Sequence, residues 1–163
     1  MYKFFILLLS LLTLLGGCST KNERFSLSAD KEKAATSLQS IRILKDNKSE
    51  AILSVIFLNE VYPHYSDESE AHFLISFYAP DVNNTLYFNE IDPNQYNLMM
   101  NGSSATEAVL LEEEDTLRTL LPINNSYNNY YYVRYPITNE MLTLVLEKSH
   151  KRVAEISYHK VEQ

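Results

Sequence analysis

Residues 71–79 read AHFLISFYA, and their side chains alternate with a period of two. This alternation is typical of a β-strand, because successive side chains of a strand point to opposite faces of the sheet. The two predicted faces are Phe73, Ile75 and Phe77 on one side and His72, Leu74, Ser76 and Tyr78 on the other. Pro80 follows directly and predicts the end of the strand.

Similar patterns extend in both directions from this strand. Residues 51–61 (AILSVIFLNEV) are almost continuously apolar and rich in β-branched side chains, which predicts a strand buried on both faces. Shorter strands are predicted at residues 41–45, 85–91, 95–100, 106–111, 130–137, 141–148 and 153–161. Asn101-Gly102 is a strong turn signal between two of them. The chain is therefore predicted to be mainly β.

Many short strands separated by polar turns are typical of a sandwich or a barrel. We predict an antiparallel immunoglobulin-like β-sandwich, although the cysteine and tryptophan hallmarks of antibody domains are missing. A lipocalin-type β-barrel is the second interpretation. An α+β fold is the third, because residues 110–121 place leucines among charged residues in a pattern that a helix could adopt.

The N-terminus has the pattern of an export signal. Lys3 is followed by an apolar run at residues 4–15. This run is shorter than the roughly 20 residues of a membrane-spanning helix, and it fits the about 7–15 residues of a signal-peptide core. Residues 1–17 are therefore predicted to be a signal peptide that is removed.

The residues at the end of this signal carry a more specific pattern. Leu15-Gly16-Gly17-Cys18 resembles the lipobox of bacterial lipoproteins. The resemblance implies cleavage before Cys18, lipidation of its thiol and anchoring to a membrane by the acyl chains. Cys18 is the only cysteine of the chain, so lipidation would leave the mature protein without a free thiol or a disulfide. Ser19 in place of Asp favours the outer membrane, facing the periplasm or the cell surface.

The remainder is predicted to consist of a lipidated polar tether at residues 18–38 and one β-rich domain at residues 39–163. The whole chain has a formal net charge of −7, which argues against binding to nucleic acid, because phosphates require clusters of Lys and Arg.

Histidines and acidic residues come close together at residues 64–72 (HYSDESEAH). Imidazole and carboxylate groups can bind metal ions, which makes His64, Asp67 and His72 weak candidates for ligands. Their spacing matches no structural zinc pattern, so a solvated loop is the preferred interpretation and no metal is predicted. The acidic run Glu112-Glu113-Glu114-Asp115 is likewise interpreted as a solvated loop or an acidic helix start, because it lacks the alternation of a calcium loop.

The tyrosine-rich residues 127–135 are the most suggestive segment for binding. Tyrosine combines a flat apolar ring with a hydroxyl group, which suits protein interfaces and sugars. The alternation assigns Tyr131, Val133 and Tyr135 to the core. The opposite face, with Tyr130, Tyr132 and Arg134, is the candidate binding patch.

One modification site is also suggested. Asp81-Val82-Asn83-Asn84-Thr85 is similar to the acidic sequon of certain bacterial glycosylation systems, which makes Asn83 a candidate acceptor.

The sequence contains no catalytic signature that we can identify. It has no nucleophile elbow, zinc-protease helix or Walker loop, and two of its three glycines lie in the signal. We therefore predict no cofactor and a non-enzymatic, membrane-anchored module that binds an envelope protein. A lipoprotein that carries sugars or lipids is the second hypothesis. An envelope hydrolase assembled in space from a serine, His150 or His159 and an acid is the third.

Overall fold

The computed structural model describes residues 29–65, 69–89, 94–121 and 124–160. Within them, nine strands form two sheets. The strands are β1 (Gln39–Lys45), β2 (Lys48–Phe57), β3 (Glu70–Tyr78), β4 (Leu86–Tyr87), β5 (Tyr96–Met100), β6 (Glu107–Leu110), β7 (Asn129–Pro136), β8 (Met141–Lys148) and β9 (Lys151–His159). The helices are α1 (Ala29–Ser37) and α2 (Leu58–Val61), with 3₁₀ turns at Pro63–Tyr65, Pro80–Val82 and Thr116–Leu120.

The five-stranded sheet has the order β1-β2-β3-β7-β6, and the four-stranded sheet has the order β4-β5-β8-β9. The described strand pairs are antiparallel except β4 with β5, which is parallel. Two-residue turns close the β1–β2 and β8–β9 hairpins at Asp46-Asn47 and Ser149-His150, all with positive φ. Positive φ at both central residues matches the twist of the flanking strands.

A shared apolar core fills the space between the two sheets. Side chains from both sheets fill it and are almost completely buried, among them Phe57, Phe73, Phe77, Tyr96, Leu98, Tyr135, Leu142, Leu144 and Leu146. The prediction of a mainly β fold is confirmed. The lipocalin-type barrel is wrong, because the strands divide into two sheets instead of closing on themselves.

Residues 110–121 do not form the α-helix that the third interpretation required. Leu110 ends β6, and only the short 3₁₀ turn Thr116–Leu120 follows. The strand predicted for residues 51–61 is also too long, since it ends at Phe57 and continues as α2. The strand predicted for residues 85–91 is reduced to β4, and its last two residues lie outside the described part of the chain.

A second apolar layer covers the outer face of the five-stranded sheet. It consists of buried side chains from β2, β3, β7, both helices and the segment after β6: Ala34, Ile56, Leu58, Val61, Tyr62, Leu74, Leu111, Leu121 and Tyr130. Residues 29–37 fall within the tether predicted for residues 18–38, yet they form α1 and bury Ala34 completely. Of the described helices, none has the length and apolar character needed to cross a bilayer.

Polar bonds connect the two sheets across the core. Tyr135 of β7 donates from its hydroxyl to the carbonyl oxygen of Leu98 at 2.7 Å, and Tyr158 of β9 donates to Val55 at 2.9 Å. Burial raises the pKa of both phenols, so both remain protonated donors. Near one end, Lys148 of β8 lies 2.5 Å from the carboxylate of Glu50 on β2.

The Glu50–Lys148 pair makes stability depend on pH. The hydrogen bond from Lys148 lowers the pKa of Glu50 despite its burial. A lowered folded-state pKa contributes stability above the unfolded value, near 4.3, and this contribution is lost as the pH falls through the lowered value. We expect Glu50→Gln to reduce the free energy of unfolding by about 1–2 kcal/mol at pH 7. Urea denaturation between pH 7 and pH 3 should show that the difference in free energy of unfolding between the wild type and Glu50→Gln becomes smaller below about pH 4.

The matched control is Glu147→Gln, which removes a carboxylate from the residue next to Lys148. It should change stability by less than about 0.5 kcal/mol. A Glu50→Gln effect that stayed constant from pH 7 to pH 3 would show that the ion pair is not its cause.

Candidate interaction surface

The sheet register brings several of the predicted site residues together on the outer face of the five-stranded sheet. β3 and β7 pair so that His72 lies opposite Arg134. β7 and β6 pair so that Val109 lies opposite Tyr132. Residues directly opposite each other in an antiparallel pair share a face and contact through their side chains. Two segments that are distant in the sequence therefore form one surface.

Four side chains on this surface make a continuous group, which we call the aromatic–histidine cluster: His64, Tyr65, His72 and Tyr132. The ring centroids of His64 and Tyr65 lie 4.3 Å apart, and Tyr65 lies 5.6 Å from His72. The Nδ1 atom of His72 is 2.7 Å from the hydroxyl of Tyr132. Exposure increases across the cluster, from buried His72 through half-buried Tyr65 and Tyr132 to exposed His64.

Local hydrogen bonds hold His72 in place. Its backbone N–H donates to the side-chain oxygen of Asn59 at 2.7 Å, and the Asn59 amide donates to the carbonyl of Glu70 at 2.8 Å. Asn59 belongs to α2, so this helix fixes the start of β3. Burial raises the pKa of the Tyr65 and Tyr132 phenols, so both keep their protons at neutral pH and can donate hydrogen bonds.

Arg134 lies next to the cluster but is occupied by acidic partners. Its guanidinium is 2.8 Å from the Glu70 carboxylate and 2.6 Å from the Glu107 carboxylate. These three residues join β3, β7 and β6 across the sheet. Two carboxylates surround one guanidinium, so Arg134 is a poor site for an anionic ligand, and its observed contacts are structural.

Tyr130 does not lie on the solvent side as the alternation of β7 suggested. Its side chain is 1% exposed, because the second apolar layer covers this part of the sheet. The guanidinium of Arg118 lies 4.2 Å from the ring centroid. The Tyr130 hydroxyl accepts from the backbone N–H of Asn125 at 2.8 Å and donates to the carbonyl oxygen of the same residue at 3.0 Å. Tyr130 is therefore a core residue that holds the loop before β7.

The exposed apolar edge beside this surface was not predicted as a site. β6 is the last strand of its sheet, and Val109 and Leu110 are 41% and 52% exposed. An amino-acid pattern does not reveal which strand will lie at the edge of a sheet. The available signal was the short apolar run at residues 108–111, which four acidic residues follow directly.

An open groove lies at the same side of the sandwich. It has a volume of about 320 Å³, and it is lined by residues around β4 and by the start of β6, including Leu86, Phe88, Ala105 and Ala108. The opposite side of the sandwich differs, because β1 and β9 approach each other there. The side chain of Gln39 donates to the carbonyl of Ser157 at 3.1 Å.

The other predicted sites are separate from this surface or outside the described residues. Cys18 and Asp67 belong to the undescribed parts of the chain. Asn83 is exposed and has a left-handed conformation, φ 54°, at the end of a 3₁₀ turn; its glycosylation stays a prediction. Across residues 29–65, 69–89, 94–121 and 124–160, no group of three or more His, Cys, Asp or Glu side chains is placed to hold a metal ion.

Comparisons of the chain with protein-family models, with curated proteins and with solved structures found no match.

The different surroundings of the two tyrosines predict different mutational effects. Tyr130→Ala empties a buried site and removes two hydrogen bonds, so we expect a loss of about 3–5 kcal/mol in the free energy of unfolding. Tyr132→Ala removes a half-buried ring and should cost about 1–2 kcal/mol. Urea denaturation of both variants measures this difference. Equal losses would show that the two side chains are buried to the same extent.

Proposed function

We propose that the protein is a lipid-anchored component of the bacterial cell envelope that works as a non-enzymatic protein-interaction module. The observation that carries this proposal is the exposed apolar edge at β6, which adjoins the half-exposed end of the aromatic–histidine cluster. Exposed Val109 lies opposite Tyr132, exposed Leu110 follows it on the other face of the same edge strand, and Tyr65 and His64 extend the surface. Adjacent aromatic and aliphatic side chains of this kind are typical of the centre of a protein interface.

The predicted anchor supports a position close to a membrane. Lipidation of Cys18 would hold the chain at the outer membrane, facing the periplasm or the surface, with an envelope protein as the partner. The first described element, α1, begins at Ala29 and packs on the same sheet face as the cluster. The residues between Cys18 and Ala29 can span at most about 35–40 Å when fully extended. The interaction surface would therefore stay within a short distance of the lipid headgroups.

A carrier for small ligands is the second candidate, and the groove beside β4 favours it. Its volume of about 320 Å³ is at the lower end of the range of about 300–1,000 Å³ for ligand sites. Among the described residues, buried side chains of both sheets occupy the space between the sheets. This arrangement supports the interaction module over the carrier.

The immunoglobulin-like type of sandwich also stays a prediction. Two antiparallel-rich sheets with a shared core support it, and the chain crosses between the sheets after β3, β5 and β7. The pairing of β2 with β3 within one sheet is a departure, because the second and third strands of an immunoglobulin domain belong to different sheets.

The anchor is tested by Cys18→Ser. The hydroxyl of serine cannot accept the lipid as a thioether, so we expect the variant to lose metabolic labelling with a radioactive fatty acid and to leave the membrane fraction. Ser19→Ala is the matched control and should keep both properties. Continued labelling of Cys18→Ser would contradict a lipid anchor at this position.

The interaction is tested by photo-crosslinking in living cells from a photoreactive amino acid at position 64 or 132. We expect one dominant protein adduct from both positions, identified by mass spectrometry. Position 153 is the control, because Val153 is 37% exposed on β9 in the other sheet. If positions 64 and 132 give no protein adduct, or only the adducts that position 153 gives, this surface is not a protein-binding site.

A further inference from the structure

Two peptide groups of β6 point away from β7, and no hydrogen bond joins them to another residue of the described ranges. The N–H of Leu111, just after the strand, donates to the carbonyl oxygen of Tyr130 in the neighbouring strand β7 at 2.8 Å. In an antiparallel pair, the peptide groups of successive residues point alternately toward the partner strand and away from it. Those of Glu107 and Val109 therefore point toward β7. Ala108 and Leu110 direct theirs away from it. Within the described residues no strand lies beyond β6.

The side chains of β6 do not protect this edge. Natural edge strands are usually shielded by charged residues, proline or bulges, since an exposed edge pairs with other chains. β6 begins with Glu107, which is paired with Arg134, and its other three residues, Ala108, Val109 and Leu110, are apolar and exposed. An apolar edge with free peptide groups suits an extended polypeptide, which can continue the sheet as an additional strand.

The groove between the two sheets lies beside the first half of β6. Ala108 faces the sandwich interior, because its partner Val133 is a core residue. Together with Leu86, Phe88 and Ala105 it forms the apolar part of the groove of about 320 Å³, whose lining also includes Tyr87, Asn89, Thr106 and Glu107. An added strand would direct every second side chain toward this side of the sheet. One large apolar side chain of such a strand could therefore enter the groove.

The other end of β6 leads into a concentrated negative charge. Glu112, Glu113 and Glu114 are exposed. No described Lys or Arg forms an ion pair with them. Charge complementarity thus favours an occupant with Lys or Arg at this end. A second copy of the chain is disfavoured, because each copy carries a formal net charge of −7.

We infer that β6 binds an extended segment of a partner protein as an added β-strand. The segment carries a large apolar side chain for the groove and one or more basic residues about five positions away, the separation of Ala108 from Glu113 along the chain. This inference rests on the proposed function and specifies the chemistry of the partner and the way it binds.

The experiment places a photoreactive amino acid at position 110 of the full-length chain and compares two substitutions at Ala108 in living cells. Ala108→Pro removes the outward N–H and leaves the bonds to β7 intact, because proline is tolerated on the open side of an edge strand. Ala108→Ser keeps the N–H and is the matched control. We expect the partner adduct to fall roughly tenfold or more in Ala108→Pro and to persist in Ala108→Ser.

The contribution of the acidic residues after β6 to partner binding is tested in the same cells. Glu113→Lys should lower the adduct yield several-fold, whereas Glu147→Lys, which makes the same change on the other sheet, should not. Mass spectrometry of the crosslinked peptide should identify a segment with a large apolar residue and Lys or Arg. Urea denaturation of each variant checks that it folds. If Ala108→Pro does not fold, Leu110→Pro replaces it, because the N–H of residue 110 also points away from β7. The photoreactive amino acid is then placed at position 132.

The possible failures are distinguishable. If the adducts from positions 64 and 132 persist in folded Ala108→Pro at the wild-type yield, the module binds its partner without strand addition, and only this inference is overturned. Adducts to a second copy of this chain, or to an acidic or helical partner segment, would also overturn it. If positions 64, 110 and 132 all give no protein adduct, both the inference and the proposed function are wrong.

Discussion

Strand β3 lies in the middle of the five-stranded sheet and buries both of its faces. Phe73, Ile75 and Phe77 face the space between the sheets, whereas His72 and Leu74 face the outer layer. A sheet with two apolar faces is stable only if both are covered. The four-stranded sheet covers the first face. The helices α1 and α2 and the segment after β6 cover part of the second face.

The outer cover is incomplete, and this determines the character of the candidate surface. It buries Leu74 and Tyr130 in the middle of the sheet but leaves Tyr132 half exposed and Val109 largely open. Polar groups at this boundary are paired within the protein, as His72 is with Tyr132 and Arg134 with its two carboxylates. The exposed groups at this boundary are therefore mainly apolar side chains and the backbone of the edge strand, and the exposed carboxylates of Glu112, Glu113 and Glu114 follow them.

The two lateral sides of the sandwich differ for a related reason. At one side, β1 and β9 approach closely enough for a side chain of one to bond the backbone of the other. At the other side, β4 has only two residues and β6 only four, so the sheets leave a groove between them. Tyr135 and Tyr158 hold the sheets together in the interior by bonds to the opposite backbone. The groove can thus stay open without loosening the core.

The sequence alone determined the local structure well. The alternation in residues 71–79 and 141–148 located β3 and β8, because the period of side-chain directions is a property of a single strand. It also picked out His64, His72, Tyr132 and Arg134, which the fold brings onto one face. The tertiary structure decided which side chains stay accessible. Alternation placed Tyr130 and Tyr132 on the same face, but only the packing of the outer layer buries the first and leaves the second half exposed. Whether a strand lies at an edge is likewise a property of the whole sheet. β6 is an edge strand because no described strand follows it in the sheet order, and the amino-acid pattern of residues 106–111 does not contain that information.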